Sequence, residues 1–164
     1  MVTDWDRLVR EHGPTVFGTA WRILGHVADT EDVVQEVFLQ AHRLRQIQPV
    51  KHWGALLRRL AAYRALDRLR QRKSFVSLTT VNLEGSDPGP EEAAMERELA
   101  DSLREAVAQL PPREAEVFCL RYFEELSYQQ IATTLDISGG AVAVALHKAR
   151  ARLEALLTGV VQGE

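Results

Sequence analysis

Cysteine and long apolar runs are scarce in this sequence of 164 residues. The single cysteine, Cys119, excludes an internal disulfide and a cysteine-based zinc site, and its apolar neighbours Val117, Phe118 and Leu120 favour a buried thiol. No apolar run approaches the roughly 20 residues that a membrane-spanning helix needs. The chain also lacks the basic and then apolar opening of a secretory signal. These absences predict a cytoplasmic protein.

Patterns typical of enzymes are missing as well. The 5 histidines show no paired spacing of metal ligands. Asp29, Glu31 and Asp32 point in several directions around one helical turn instead of converging on a metal. The sequence has no glycine-rich phosphate-binding loop and no nucleophile elbow. We therefore expect no catalytic residues, no metal, no cofactor and no enzyme activity.

The net charge of −3 is unusual for a DNA-binding protein, but the charge is unevenly distributed. Residues 1–73 carry 13 basic and 8 acidic side chains, whereas residues 74–100 carry 1 basic and 6 acidic ones. Within the first segment, residues 51–73 hold 8 basic side chains and one acidic side chain, Asp67. A local excess of this kind is expected where a protein binds a polyanion.

Apolar residues recur at helical spacing along most of the chain, and no segment alternates with the period of two that marks a half-buried strand. The sequence therefore predicts an all-α fold made of two small helical domains. The first helix is expected to end at Gly13-Pro14, and Asp29 or Thr30 is expected to cap the third. The helices predicted in the first domain are Asp4–Glu11, Thr15–Leu24, Glu31–Arg45 and Val50–Arg72.

The segment 74–90 is rich in Ser, Thr, Asn, Gly and Pro and has no helical stripe, so we interpret it as a flexible linker. The alternation of Val76, Leu78 and Val81 also allows a short extended segment there. Ser127 is a candidate N-cap, with Gln130 at the capping-box position. The helices predicted in the second domain are Glu91–Gln109, Arg113–Glu124, Ser127–Leu135 and Ser138–Leu157.

Residues 127–138 have the spacing of a helix-turn-helix motif. Ile131, Ala132 and Leu135 form an apolar face, and the small Ala132 lets a second helix cross closely. Residues 136–138 make a short turn before that helix, which in such motifs can lie in a major groove of DNA. A plain helical hairpin inside a bundle has the same pattern and remains the alternative.

The helix predicted at 31–45 carries a polar face whose members recur at spacings of three and four. By itself this pattern is also typical of a face that is merely solvated. The inward side of the same helix is apolar, which fixes the direction of the polar face. Its members are Asp32, Gln35, Glu36, Leu39 and Arg43.

The helix predicted at 50–72 carries a basic ridge formed by Arg64, Arg68 and Arg72, which recur every four residues. Such a ridge can neutralise phosphates. Trp53 and Tyr63 are candidate platforms for unstacked bases, although a tryptophan at helical spacing is also typical of a core. Further basic side chains join the ridge: Arg58, Arg59, Arg70 and Lys73.

In this order, the segments resemble the extracytoplasmic-function class of bacterial sigma factors, in which sigma regions two and four are joined by a linker. Independent motifs occur in the family's order and at compatible distances, over residues 8–156 outside the linker. The implied division is region two at 1–73, a linker at 74–90 and region four at 91–164. The similar segments are 29–39 (DTEDVVQEVFL) and 65–70 (ALDRLR) for region two, and 110–118 (LPPREAEVF), 120–123 (LRYF) and 126–132 (LSYQQIA) for region four.

The resemblance implies a protein that binds core RNA polymerase and directs it to promoter DNA, with an anti-sigma factor as a further partner. Asp32, Gln35, Glu36 and Leu39 would bind the clamp helices of the polymerase's largest subunit. Binding energy would offset the cost of unpairing and unstacking, so the chain needs no nucleotide hydrolysis. The residues implied at the −10 element are Trp53, Arg58, Arg59, Tyr63, Arg64, Arg68 and Arg72. The residues implied at the −35 element are Ser138, Gly140, Ala141, Ala143, Val144, His147, Lys148 and Arg150.

The chain departs from the family's usual pattern in region two and in the recognition helix. The family usually has Asn at the position of Tyr63, and its loop corresponding to 45–52, which helps to capture a flipped base, is usually longer. The positions where the family commonly has Thr, Lys, Ser and Arg hold methyl-bearing side chains, which cannot make bidentate hydrogen bonds to bases. We therefore expect weak or shape-based reading of the −35 element, or phosphate contacts from Lys148, Arg150 and Arg152. The substituted positions are Ala141, Ala143, Val144 and Ala145.

Two other functions remain open at this point. A helix-turn-helix regulator that acts without polymerase would bind duplex DNA stably on its own. A decoy would occupy polymerase without reading promoters, and the small side chains of residues 139–145 keep this alternative open.

Overall fold

The computed structural model describes residues 4–79 and 91–162, and the side chains of residues 4–72 and 91–159. The described residues form seven α-helices and no strand, which confirms the predicted all-α class. We call α1 to α3 the N-terminal half and α4 to α7 the C-terminal half. The helices are α1 (Asp4–Leu24), α2 (Val27–Ile47), α3 (Trp53–Thr79), α4 (Glu91–Ala108), α5 (Pro112–Tyr122), α6 (Tyr128–Leu135) and α7 (Gly139–Gln162).

The prediction of two helices separated at Gly13-Pro14 is wrong, because α1 is continuous and contains Pro14. An interior proline removes one backbone hydrogen bond and usually breaks or kinks a helix. Here the apolar stripe continues past the proline on the same side, from the partly buried Leu8 to the fully buried Val16 and Ile23. Burial of this stripe against α2 and α3 outweighs the lost bond.

The start of α2 also differs from the prediction that Asp29 or Thr30 is the cap. The N-cap is His26, whose Nδ1 accepts a hydrogen bond from the Asp29 amide at 3.3 Å. Thr30 is fully buried, and its hydroxyl donates to the His26 carbonyl at 2.7 Å. The helix therefore begins three residues before Thr30, because Gly25, with φ 62°, turns the chain directly after α1.

α3 begins at Trp53 instead of Val50 and continues to Thr79, beyond the predicted end at Arg72. Residues 74–79 of the predicted linker are therefore helical. The predicted extended segment is wrong for Val76 and Leu78, which lie in α3, and Val81 lies outside the described residues, as does the rest of the linker.

The helices predicted in the C-terminal half are confirmed to within a few residues at most ends; the last helix continues beyond its predicted end to Gln162. The Ser127 hydroxyl accepts from the Gln130 amide at 3.1 Å, and the Gln130 side chain accepts from the Ser127 amide at 2.9 Å, so the predicted capping box is present. Asp136 adopts the left-handed conformation that ends α6. The Ser138 hydroxyl then accepts from the Ala141 amide at 3.1 Å and caps α7.

α3 lies at the centre of the molecule. It packs against α1 and α2 in the N-terminal half, and against α4, α5 and α6 in the C-terminal half. α7 packs against α4, α5 and α6. The buried apolar side chains form one cluster that extends through both halves. The two halves are therefore in contact. Most of the contacts that the N-terminal half makes with the C-terminal half come from α3.

The capping box gives a test of the local structure of α6. Ser127→Ala leaves amide donors at the start of this helix without their side-chain acceptor, so we expect a loss of about 1 kcal/mol in the free energy of unfolding. Urea titration at pH 7 measures it. The matched control is Thr133→Ala in the same helix, because the Thr133 hydroxyl donates only to the Gln129 carbonyl one turn earlier; its effect should stay within about 0.5 kcal/mol. Equal effects of the two substitutions would contradict the role of the cap.

Candidate protein-binding and nucleic-acid-binding surfaces

The polar face of α2 points away from the core. Val33, Val37 and Ala41 are fully buried on the opposite side of the helix. This leaves Asp32, Gln35 and Leu39 exposed and Glu36 half-buried, with 59% of Leu39 accessible although it is apolar. An exposed leucine in the middle of a polar face is typical of a surface that binds another protein.

An apolar hollow of about 510 Å³ adjoins this face. Trp5 of α1 forms one wall, and Phe38 and His42 of α2 lie edge-to-face against its ring, with centroid distances of 6.3 and 4.9 Å. Gln35 and Leu39 complete the lining. The sequence patterns did not single out Trp5, because its contacts depend on how α1 crosses α2.

The basic ridge of α3 faces α2, where Arg68 meets three carboxylates. Arg68 Nη2 lies 2.8 Å from Asp32 Oδ2 and 3.5 Å from Asp29 Oδ1, and Arg68 Nη1 lies 3.8 Å from Glu36 Oε1. Arg68 thus links residues of two predicted surfaces, since Asp32 and Glu36 belong to the polar face of α2. The guanidinium groups of this ridge are partly neutralised within the chain.

Arg72 and Arg64 also bind residues of the neighbouring helices α1 and α2. Arg72 pairs with Asp29 and donates to the Leu24 carbonyl at 3.1 Å, and Arg64 Nε donates to Gln40 Oε1 at 3.0 Å. Partial burial is the largest single effect on Asp29 and raises its pKa. The hydrogen bond and charge of Arg72, with the charges of His26 and Arg68, outweigh that burial and hold the pKa of Asp29 below its ordinary value.

The other residues predicted at the −10 element lie elsewhere on α3. Arg59 and Tyr63 line a cleft of about 300 Å³ whose other wall includes Arg113 and Glu116 of α5. Burial raises the pKa of Glu116 despite the nearby charges of Arg113, Arg59 and Arg70. Arg58 lines a second cleft, of about 430 Å³, opposite residues of α6. These side chains therefore face the C-terminal half.

Trp53 is half-buried and packs edge-to-face against Trp5, with ring centroids 6.0 Å apart. The Arg45 guanidinium lies 5.0 Å above the Trp5 ring on the same cluster. This environment agrees with the core alternative for Trp53. Tyr63, in contrast, is 51% exposed.

The first turns of α7 expose mostly small side chains. Val142, Leu146 and Ala149 are buried, so the opposite side of the helix faces outward. Arg150 lies over the Tyr122 ring and donates to its hydroxyl, and Arg152 Nε lies 2.9 Å from Glu114 Oε2. All eight residues predicted at the −35 element are exposed: Ser138, Gly140, Ala141, Ala143, Val144, His147, Lys148 and Arg150.

Comparison with known proteins identifies the family. The model of Sigma-70 region 2 matches residues 8–75, and the model of Sigma-70 region 4 matches residues 100–153. The chain is 30% identical over 151 residues to the ECF RNA polymerase sigma factor SigL of Mycobacterium tuberculosis, covering 87% of this chain and 82% of SigL. This chain belongs to the ECF sigma factors. SigW of Bacillus subtilis is 27% identical over 150 residues, covering 84% of this chain and 80% of SigW.

A longer relative and two solved structures are also similar to this sigma factor. The chain spans 60% of the length of SigE of Mycolicibacterium smegmatis, to which it is 30% identical over 154 residues, or 91% of this chain. The structure of RpoE from Bartonella quintana, solved with the anti-sigma factor NepR, has a TM-score of 0.55 at 18% identity, covering 94% of this chain and 97% of RpoE. CnrH, solved with the cytosolic domain of CnrY, has a TM-score of 0.58 at 24% identity, covering 94% and 88%. These two structures support the fold.

Within the described residues, the sigma factor has no cluster of His, Cys, Asp and Glu side chains arranged to hold a metal. In the same residues, no helix combines the length and the apolar character needed to cross a membrane. Cys119 is fully buried, and burial raises the pKa of its thiol, which makes it unreactive. The buried thiol confirms the interpretation of its apolar neighbours.

The ion pairs of Asp29 predict how stability depends on acid. The folded-state pKa of Asp29 lies below its ordinary value of 3.8, so its charge stabilises the fold above about pH 4, and this contribution is lost as the pH falls through the folded-state pKa. Asp29→Asn should lower the free energy of unfolding at pH 7 by about 1 kcal/mol and flatten its decrease as the pH falls below about 4. Urea titrations across this range measure both effects.

The matched control for Asp29→Asn is Glu31→Gln, which neutralises an exposed carboxylate on the same helix. This variant should keep the wild-type dependence on pH. If both variants followed the wild-type curve, the pairing of Asp29 with Arg72 and Arg68 would contribute nothing to stability.

Proposed function

We propose that this sigma factor binds core RNA polymerase and directs it to promoters, acting by binding and without catalysis, in the cytoplasm. Family membership supports the general role. The observation that carries the assignment of a binding surface is the outward polar face of α2, with the exposed Leu39 beside the hollow of Trp5, Phe38 and His42. We keep the division into region two at 1–73, a linker at 74–90 and region four at 91–164 as part of this proposal.

The polymerase partner of α2 is proposed to be the clamp helices of the largest subunit. Asp32 and Glu36 offer carboxylates, Gln35 offers an amide and Leu39 offers an apolar side chain. All four lie on the same face of α2. A partner helix with basic and apolar residues complements this set. The hollow next to Leu39 can accept a further apolar side chain from the same partner.

Region two is proposed to bind the −10 element through α3. Arg58, Arg59 and Tyr63 retain the means to contact phosphates and an unstacked base. Arg68 and Arg72 pair with carboxylates of α2. They contribute to DNA binding when they release these carboxylates and bind phosphates instead. The cost of unstacking, a few kcal/mol for each flipped base, is offset by these contacts and by polymerase.

Region four is proposed to bind the −35 element through α7. Ala141, Ala143 and Val144 can touch thymine methyl groups, whereas discrimination of guanine or adenine needs bidentate donors and acceptors. Lys148 and Arg150 lie further along the exposed side and suit phosphates. Contacts of this kind give weak selectivity upstream and shift the selection of promoters towards the −10 element.

An anti-sigma factor is proposed as a further partner. RpoE of Bartonella quintana, a structure with the same fold, was solved with the anti-sigma factor NepR. The exposed surfaces of α2 and α7 are the ones that an inhibitor of polymerase binding or promoter binding would have to cover.

The polymerase surface is tested by reversing its chemistry. Gln35→Arg combined with Glu36→Arg adds positive charge beside Arg68 and should abolish co-purification with core polymerase, because like charges then face the proposed basic partner. The control is Glu154→Arg combined with Thr158→Arg, an equal change of charge at two exposed positions of α7. Circular dichroism of both variants checks that the helices are retained.

Unchanged binding of the Gln35/Glu36 variant would remove the α2 face from the interface. Loss of binding by the α7 control as well would mean that overall charge, and no particular surface, decides the result.

The groove contact of α7 is tested by adding a donor. Ala143→Arg should tighten binding of holoenzyme to upstream promoter DNA by about tenfold, because an arginine there can reach guanine or a phosphate. The dependence on salt should steepen by about one counterion. Ala151→Arg, about two turns further along the same helix and also exposed, is the control. A flat response of Ala143→Arg across several promoter sequences would place α7 outside the groove.

A further inference from the structure

The cleft between α3 and α5 combines an apolar wall with several polar side chains that point to a small ligand. Its volume is about 300 Å³, and Leu56 and Leu60 supply the apolar wall. Pockets for small molecules have this composition, with a few polar groups that fix the orientation of the ligand. The polar lining is formed by Gln40, Arg59, Tyr63, Arg113 and Glu116.

The arginines at this cleft lack the hydrogen bonds that the other arginines of α3 make. Among the described residues, no side chain accepts a hydrogen bond from Arg59 or Arg113. Arg113 Nη1 lies 3.7 Å from Glu116 Oε2, which is beyond hydrogen-bond distance. Arg70 Nη2 is buried and also has no partner in the described part of the chain. Three guanidinium groups thus surround one carboxylate, and this excess of positive charge favours an anionic ligand.

The carboxylate of Glu116 is an acceptor in need of donors. Only 14% of its side chain is exposed, and burial raises the pKa of its carboxyl. No described residue donates a hydrogen bond to it. A buried carboxylate is stabilised when N–H groups bind its oxygens. Guanine offers two adjacent donors, N1–H and the 2-amino group, which match the two oxygens of a carboxylate. Adenine has an acceptor at N1 and does not match them.

The remaining parts of a nucleotide find partners in the same cleft. Tyr63 is 51% exposed, and its ring can stack on a base. The guanidinium groups of Arg59 and Arg113 suit a phosphate, to which arginine binds in a bidentate manner. The cleft also lies beside the first turn of α5, whose N-terminus has no side-chain cap and carries the positive end of the helix dipole.

Helical spacing brings the four polar side chains together in pairs. Arg59 and Tyr63 are four residues apart on α3, and Arg113 and Glu116 are three residues apart on α5, so each pair lies on one side of its helix. Each helix therefore offers one group for the phosphate and one group for the base.

We propose that the α3–α5 cleft of this sigma factor binds a free guanine mononucleotide. Glu116 accepts from N1–H and the 2-amino group, Tyr63 stacks on the base, and Arg59 and Arg113 bind the phosphate. The volume of the cleft suits one nucleotide and favours a free nucleotide over a guanine within a strand. Because Arg59 and Tyr63 are also proposed to bind the −10 element, a bound nucleotide would compete with promoter DNA. This consequence rests on the proposed function, whereas the site does not.

Isothermal titration calorimetry of the full-length chain tests the site with guanosine 5′-monophosphate (GMP). GMP should bind at one site. Adenosine 5′-monophosphate (AMP) should bind about tenfold more weakly, because the acceptor at its N1 faces the Glu116 carboxylate. Guanosine, which lacks the phosphate, should also bind about tenfold more weakly. Absence of GMP binding at millimolar concentration, or equal affinities for GMP and AMP, would overturn the proposal.

Two variants assign the two ends of the nucleotide by different readouts. Glu116→Gln should remove the preference for GMP over AMP while the affinity for AMP is retained. Arg113→Gln should weaken GMP about tenfold and leave the affinity for guanosine unchanged. A loss of folding would weaken all ligands together, so these ratios distinguish a binding role from a structural one. A preference for GMP that survives in Glu116→Gln would remove that residue from the site.

The matched control for Arg113→Gln is Arg97→Gln, which removes one positive charge at an exposed position of α4. This variant should bind GMP as the wild type does. Equal affinities of the two variants for GMP would show that overall charge, and not the cleft, attracts the phosphate, and would overturn the site.

A short strand separates the free nucleotide from the same base in DNA. The trinucleotide TpGpT carries guanine with a phosphate on each side, and its flanking nucleotides do not fit the cleft. It should therefore bind about tenfold more weakly than GMP. Equal or tighter binding of TpGpT would assign the cleft to a DNA strand and overturn the proposal. All these titrations use the sigma factor without polymerase or promoter, so their outcome does not depend on the proposed function.

Discussion

Burial of α3 on two sides is the constraint on which the rest of the structure depends. Leu57 and Leu66 are almost fully buried, and the small Ala61, Ala62 and Ala65 let neighbouring helices approach closely. A fully buried leucine contributes roughly 1.5–3 kcal/mol. Because α1 and α2 pack on α3 from one half and α4, α5 and α6 from the other, a single helix organises both regions.

The same helix carries the residues proposed to bind DNA, so structure and function compete for its surface. Its basic side chains occupy the sides that the apolar residues leave, and there they meet carboxylates of α2 or the walls of region four. The outward side of α7 is free of this competition because it lies away from α3, whereas Asp32 and Glu36 of the polar face of α2 pair with Arg68 of α3.

Local signals in the sequence predicted the C-terminal half well. The Ser127–Gln130 capping box and the Ser138 cap lie within a few residues of the helix ends that they set, so they can be recognised without the fold. The orientation of the α2 face likewise followed from helical periodicity. The continuity of α1 through Pro14 could not be predicted in this way, because it depends on burial against helices distant in sequence.

The pairing of charges was also beyond the sequence patterns. Glu124 and Arg22 are separated by 102 positions, and Arg68 and Asp32 by 36. Helical spacing indicates on which side of a helix each charge lies, but it does not indicate which helix will face that side. The predicted basic ridge was thus found at the right positions of α3, while its partners on α2 appeared only in the structure.

These pairings change the meaning of the charge count. Residues 51–73 hold 8 basic side chains and one acidic side chain, Asp67. In the structure, however, Arg68 and Arg72 pair with carboxylates of α2. Arg59 and Arg70 lie near the carboxylate of Glu116. Partly exposed ion pairs contribute only about 0–1 kcal/mol each. Exchanging a carboxylate for a phosphate at such a pair therefore costs little. The local excess of basic side chains therefore overstates the positive charge that is free on α3, because carboxylates of α2 and α5 hold part of it weakly.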